Sequence, residues 1–191
     1  MNLNIKMAIG LWSLLSSNQL TTLHVDLRNT RVPLADGLWH RCVFTSLTDL
    51  SVSLSDRHFS GFLRTCSGPW MKRLHIGMAG AHLSDSANVK LGHMLSLFPN
   101  LCSLQLDLRN NEVMDVGLNA ILVSIQSLTL LTSLQVRLPF NHITMCSTMA
   151  LQRVLELPRW RTVYIDLSHN LVDAPVFGTA RLVAKPYILI P

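Results

Sequence analysis

The sequence predicts an α/β solenoid of about six repeats, with parallel strands on the concave face of an arc and helices on the convex face. Two observations carry this prediction, and a third makes it affordable. An apolar pattern, L-x-x-L-x-L-x-L-x-x-N-x-V with substitutions, recurs in six segments. Within each unit, strict alternation of apolar and polar residues gives way to helical spacing. Finally, 49% of the residues are hydrophobic and only 14% are charged, against about 25% charged in an average soluble domain, so a long continuous core can be filled.

The six segments open at Leu20, Leu47, Met71, Leu101, Leu131 and Trp160 and close at Val32, Phe59, Leu83, Val113, Ile143 and Val172. In every one the closing residue lies nine positions after the anchor, which is Leu23, Leu50, Leu74, Leu104, Leu134 or Val163. Successive anchors are separated by 27, 24, 30, 30 and 29 residues. Periods of this size are the mark of stacked supersecondary units. The alternating stretch puts its apolar side chains on one face of a short strand. The stretch after it changes period: Val116, Leu118, Ala120, Ile121, Leu122 and Ile125 follow Asp115, and Ala87, Val89, Leu91, Met94, Leu95 and Phe98 follow Asp85. Asp36, Asp85 and Asp115 are the expected N-caps of these helices. One strand with one helix cannot bury its apolar face alone, whereas stacked copies can.

An asparagine recurs seven residues after the anchor, at Asn111, Asn141 and Asn170. The first unit has Thr30 in that slot, with Asn29 one position early, and the second and third have Arg57 and Ala81. Their turns are expected to be less regular.

With its strand-plus-helix units, and with LQLDLRNNEVMDVGLNAI over residues 104–121, the chain resembles the ribonuclease-inhibitor-like branch of leucine-rich-repeat proteins. The resemblance covers residues 20–172. It departs from the usual motif by an extra L-x pair before the asparagine, which lengthens the strand. The resemblance implies that the asparagine amides bond to the backbone of neighbouring turns. It also implies a non-catalytic protein-binding module, or a structural subunit of a larger assembly.

Residues 1–19 are expected to form an N-terminal capping helix. A cleaved targeting segment is the alternative, although the stretch has one positive residue, a short apolar run and no A-x-A signal. Residues 173–191 are expected to be a C-terminal cap or a truncated seventh repeat. Their apolar end, Tyr187, Ile188, Leu189 and Ile190, is a candidate edge for pairing with a partner subunit.

If the leucines point inward, three rows of interleaved side chains cross the concave face, about 4.8 Å apart from strand to strand. They are His24, Ser51, His75, Gln105, Gln135 and Tyr164; then Asp26, Ser53, Gly77, Asp107, Arg137 and Asp166; then Arg28, Ser55, Ala79, Arg109, Pro139 and Ser168. Small residues in the second and third units form a saddle flanked by larger polar groups. The candidate binding residues are Asp26, Arg28, Gln105, Asp107, Arg109, Gln135, Arg137, Tyr164 and Asp166. A solvated face of self-paired charges is the bland alternative.

The formal net charge of +5 is spread along the chain, with short clusters only at Lys72 and Arg73 and at Arg159 and Arg161. A basic RNA-associated adaptor is therefore an alternative function, though nucleic acid is not the favoured partner. Cys42, Cys66, Cys102 and Cys146 form no C-x-x-C pair. They are expected to be free, mostly buried thiols of an intracellular, reducing compartment. No phosphate-loop, dinucleotide, zinc-protease or nucleophile-elbow motif is present. His24 and His75 lie two strands apart, too far to share a metal, so no enzyme activity, cofactor or metal is expected. The most apolar later stretch, residues 120–136, is interrupted by Ser124, Gln126, Ser127, Thr129, Thr132, Ser133 and Gln135, so no membrane span is predicted.

Overall fold

The computed structural model describes residues 20–28, 46–55, 59, 62 and 68–172. Six five-residue strands form one sheet: β1 Thr22–Asp26, β2 Asp49–Ser53, β3 Arg73–Gly77, β4 Ser103–Asp107, β5 Ser133–Arg137 and β6 Thr162–Asp166. All neighbours are parallel and the strand order is the chain order. Three helices lie between strands among the described residues: α1 Asp85–Leu95, α2 Asp115–Ser127 and α3 Thr148–Leu155, the last entered through a 3-10 turn at Met145–Ser147. This repeated parallel strand–helix arrangement is consistent with a solenoid.

The register matches the sequence pattern. Leu23, Leu50, Leu74, Leu104, Leu134 and Val163 stand opposite one another across the whole sheet. Leu50, Leu74, Leu104 and Leu134 are at most 2% exposed, and Leu23 is partly buried against the same core. Leu91, Leu95, Leu118, Ile121, Leu122, Ile125, Leu151 and Val154 bring the helices onto that core from the other side. The extra alternating pair extends the backbone pairing beyond the strand ends. Leu108 N–H donates to Arg137 O at 2.8 Å and Asn110 N–H to Pro139 O at 3.0 Å, with equivalent bonds from Met78, Gly80, Leu138 and Phe140.

The recurrent asparagines close the turns after the strands. The Asn141 carbonyl accepts from Val113 N–H at 3.0 Å, while its amide donates to Leu108 O and Leu138 O, both at 2.9 Å, and to Pro139 O at 3.3 Å. Asn111 serves Leu83 N–H and three carbonyls in the same way, and so does Asn170 with Ile143 N–H. Each side chain replaces ladder bonds where the chain bends away, as buried backbone groups require. The turn carrying Ala81 is less regular, as expected. It contains two left-handed residues, Gly80 at φ 65° and His82 at φ 52°, where each of the turns at Asn110, Phe140 and His169 contains one.

The expected N-caps are corrected. Asp85 and Asp115 are the first residues of their helices, preceded by the cap positions Ser84 and Met114. Ser84 Oγ caps α1 by accepting from Ala87 N–H. The two aspartates instead reach forward to the next unit. Asp85 Oδ1 accepts from Met114 N–H and Gly117 N–H, both at 2.8 Å, at the start of α2. Asp115 accepts from Thr144 N–H at 3.1 Å, Thr144 Oγ1–H at 2.6 Å and Ser147 Oγ–H at 2.5 Å. The residue types suit a helix start, but the helix they serve is their neighbour's. Burial pulls the Asp115 carboxyl up, yet the hydroxyls of Ser147 and Thr144 and their backbone N–H groups outweigh it and hold the carboxyl below its usual range. A depressed carboxylate pKa stabilises the fold above the unfolded value of about 3.9 and loses that contribution as pH falls through the lower folded value. Asp115→Ala is expected to cost about 1–2 kcal/mol at neutral pH. A denaturant titration repeated at pH 3 and pH 7 should show the difference from the parent shrinking in acid.

Arg159, half of the short basic cluster with Arg161, is a structural residue. Its guanidinium donates to Ile125 O at 2.6 Å and Gln126 O at 3.3 Å, satisfying carbonyls at the end of α2, and lies over the Trp160 ring at 5.1 Å. Burial lowers its pKa. The thiol expectation is met in part: Cys102 and Cys146 are free, but Cys102 is half-buried and Cys146 exposed, because they fall just before β4 and in the 3-10 turn rather than on the alternating core positions. Residues 1–19 and 173–191, Asp36, Cys42, Cys66 and the turn at Arg57 lie outside the described residues. No helix among the described residues is long and apolar enough to cross a membrane.

Candidate functional site

The strands bury their leucines and valines on the helical side, so the interleaved residues face outward from the opposite side of the sheet. These residues are partly or fully exposed in all six strands. The register lines up His24, Ser51, His75, Gln105, Gln135 and Tyr164 as one row and Asp26, Ser53, Gly77, Asp107, Arg137 and Asp166 as the next. The seven candidate residues within the strands therefore share one face, and Arg28 and Arg109, just past the strand ends, are paired with Asp26 and Asp107 of that face. The candidate edge at Tyr187, Ile188, Leu189 and Ile190 lies outside the described residues.

The charges on this face are largely matched locally. Arg28 pairs with Asp26 at 2.6 Å and Arg109 with Asp107 at 2.8 Å, while Arg73 pairs with Asp49 at the strand starts. Hydrogen bonding to Arg28 holds the Asp26 carboxyl below its usual range. Asp26, Asp107 and Asp166 also accept the backbone N–H two residues on, at Arg28, Arg109 and Ser168. The aspartate three residues after the anchor is thus a turn-forming residue as well as a surface charge. Exposed pairs of this kind contribute about 0–1 kcal/mol each to stability.

The middle of the face is held by a polar relay. Gln105 and Gln135 meet across β4 and β5. With its amide turned, Gln135 Oε1 accepts from Arg137 Nε at 3.1 Å and from its Nη2 at 2.9 Å. Arg137 stands in register between Asp107 and Asp166, but among the described residues neither lies within ion-pair distance of it. Tyr164 Oη–H donates to Asp166 at 3.3 Å.

In the small-residue saddle, His75 Nδ1 and Ser51 Oγ are 3.1 Å apart. Burial lowers the His75 pKa from the ordinary imidazole value. The folded state therefore binds this proton less readily than the unfolded chain, so His75 favours folding at neutral pH and loses that contribution as pH falls below about 6.5. Stability measured from pH 7.5 to 5 is expected to fall less steeply in His75→Gln than in the parent. Identical slopes would refute the assignment.

Sequence reasoning missed an aromatic pair beside this face. Phe140 and His169 occupy equivalent places, six residues after their anchors, with left-handed φ values of 58° and 59°. Their rings stack with centroids 4.2 Å apart and planes 5° from parallel. The same place holds Gly80 and Asn110 in the preceding turns, residue types that tolerate this conformation. The signal was present in the alignment of the units: a phenylalanine where glycine and asparagine recur.

Among the described residues no three His, Cys, Asp or Glu side chains are placed to hold one metal ion. Compared with known proteins, the chain matches no family profile and no curated relative.

Proposed function

We infer that the chain is a leucine-rich-repeat protein of about six units forming a horseshoe arc, and that it acts as a protein-interaction module or a structural subunit of a larger assembly rather than as an enzyme. The observation that carries this reading is the outward face of the sheet. Six parallel strands present aligned rows of polar side chains on the side away from the helices' core. Such a surface is wide and rigid because its side chains are spaced by the strands. Gln105, Gln135 and Arg137 on β4 and β5 and Tyr164 on the terminal strand β6 supply hydrogen-bonding and aromatic anchors, the kinds of group that dominate interface energies. The paired acids and arginines suit a polar rim.

The basic adaptor reading draws on the +5 charge. On the sheet, Arg28, Arg73 and Arg109 each have an acidic partner, so the face does not present the basic stripe that phosphates require. A photo-crosslinking residue placed at Gln105 or Tyr164, with Lys90 on α1 as the control site, tests the proposal in the native cell extract. A defined partner protein trapped from the sheet positions and not from Lys90 supports it. Trapping of RNA, or equal trapping from both sides, overturns it.

A further inference from the structure

All the strands are parallel, so the turns that lead into β3, β4 and β5 stand side by side at one edge of the sheet. They are built alike. Met71 N–H donates to Gly68 O, Leu101 N–H to Phe98 O and Leu131 N–H to Leu128 O, each at 3.1 Å. Asn100 Nδ2 donates to Pro69 O at 2.6 Å and ties one turn to the next. Strand spacing sets neighbouring turns about 4.8 Å apart, and the unbroken register keeps them level.

Each turn buries some apolar residues and leaves another outside. Met71, Phe98, Leu101, Leu128 and Leu131 are closed in the core, whereas Trp70 is 58% exposed and Leu97 and Leu130 are each 50% exposed. Single exposed apolar residues are ordinary, but these follow one another along a row of turns and have cations beside them. Lys72 and Arg161 hold equivalent places, two residues before their anchors, and both are exposed. No described acid lies within ion-pair distance of either. Arg73 pairs with Asp49 yet keeps 70% of its side chain exposed.

Charge is divided between the two edges. Among the described residues the acids of the strand-entry edge are Asp49 and Glu156. Asp26, Asp85, Asp107, Glu112, Asp115 and Asp166 all lie at the other edge, where strands end and helices begin. Val116 is exposed at that other edge too, but it directly follows Asp115.

We propose that the strand-entry edge is a peripheral docking surface for a membrane that carries anionic lipid. Trp70, Leu97 and Leu130 enter the headgroup region, and Lys72, Arg73 and Arg161 lie against the lipid phosphates. A level row of turn tips suits a plane, and tryptophan with flanking cations is the composition favoured at a lipid–water boundary. An acidic soluble protein would use the cations and leave the three apolar side chains in water. This goes beyond the protein-interaction reading, because the outward face of the sheet takes no part in it.

The test sediments the full chain with vesicles of phosphatidylcholine alone and of phosphatidylcholine mixed with phosphatidylserine. Binding to the mixed vesicles only, weakening as salt is raised, is the expected result. Lys72→Gln and Arg161→Gln should each weaken it about fivefold. Trp70→Ser should weaken it about tenfold and Leu130→Ser about threefold, and because all four side chains are exposed the variants should stay folded. Val116→Ser should bind as the parent does. Lipid brominated just below the headgroups should quench tryptophan fluorescence in the parent and much less in Trp70→Phe. The proposal is overturned if neither vesicle binds, if both bind equally, or if Trp70→Ser and Leu130→Ser, folded by circular dichroism, bind unchanged. The last outcome, with full competition by polyglutamate, would mark the edge as a site for an acidic protein instead. Crosslinking from Gln105 and Tyr164 reads a different surface, so the two readings fail separately.

Discussion

Asn141→Ala is expected to destabilise the protein by about 2–3 kcal/mol, one of the two largest single-residue effects predicted for this fold. The side chain is 5% exposed and satisfies Val113 N–H together with the carbonyls of Leu108, Leu138 and Pro139. Alanine leaves Val113 N–H without a partner, while Leu108 O, Leu138 O and Pro139 O each lose one donor but keep Asn111 Nδ2, Asn170 Nδ2 and Asn110 N–H; a buried unsatisfied group costs about 1–3 kcal/mol. The three carbonyls lose a hydrogen bond each without being orphaned, which keeps the estimate near the cost of one buried unsatisfied donor. Asn141→Asp is expected to be no better, because a carboxylate can still accept from Val113 N–H but faces three carbonyl oxygens. The half-buried Asn170 should cost less when truncated. Denaturant midpoints at unchanged slope measure all three, and a loss below 1 kcal/mol for Asn141→Ala would show that the asparagine is dispensable.

Gly92→Ala is expected to lower stability by about 2–3 kcal/mol, against the intrinsic preference of a helix for alanine. Alanine in an exposed helix interior gains roughly 0.5–1 kcal/mol over glycine. Gly92, however, is buried where α1 meets α2, and a Cβ there would lie 2.7 Å from the carbonyl carbon and oxygen of Ala120 and 3.0 Å from Ile121 N. The obstacle is backbone, so no rotamer change relieves it, and the helices must separate. Separation also strains the bond from Ser124 Oγ to Gly92 O, 2.6 Å long and buried. Overpacking of this kind outweighs the propensity gain. Gly80→Ala is the contrasting case. Its Cβ meets nothing within 4 Å, but φ is +65°, so its cost is conformational and about 1 kcal/mol. A Gly92→Ala variant as stable as the parent would mean that the two helices are not held this closely.

The strand positions, their register and the buried anchors were legible in the sequence because alternation and period are properties of residue order alone. Leu74, Leu104 and Leu134 could be placed without knowing any neighbour. The roles of Asn111, Asn141 and Asn170 were legible through the resemblance, since spacing by itself does not say what an amide bonds to. The partners of Asp85 and Asp115 were not. A one-dimensional capping rule assigns an acid to the helix that follows it, whereas their hydrogen-bond partners lie about 30 residues away, at sequence separations of 29 and 32. The structural role of Arg159 was not legible for the same reason, because its carbonyl partners are 33 and 34 residues earlier. On the candidate face, the shared orientation of the seven strand residues followed from the two-residue period. The pairing of Gln135 with Arg137 in preference to an acid, and the strained aromatic pair, depend on rotamers and φ angles that no pattern encodes.

The forward reach of Asp85 and Asp115, matched by the backward reach of Asn111 and Asn141, gives the junctions between the third and fourth and between the fourth and fifth units the same set of plugs and sockets. Excision of the block from Leu104 to Ser133 would bring Asp85 to Thr144 and Ser147, and Asn141 to Leu83 and Met78, groups equivalent to those each now holds. Evolution can therefore shorten or lengthen such a chain by whole blocks, while an insertion or loss of a few residues inside a turn mismatches both connectors at once.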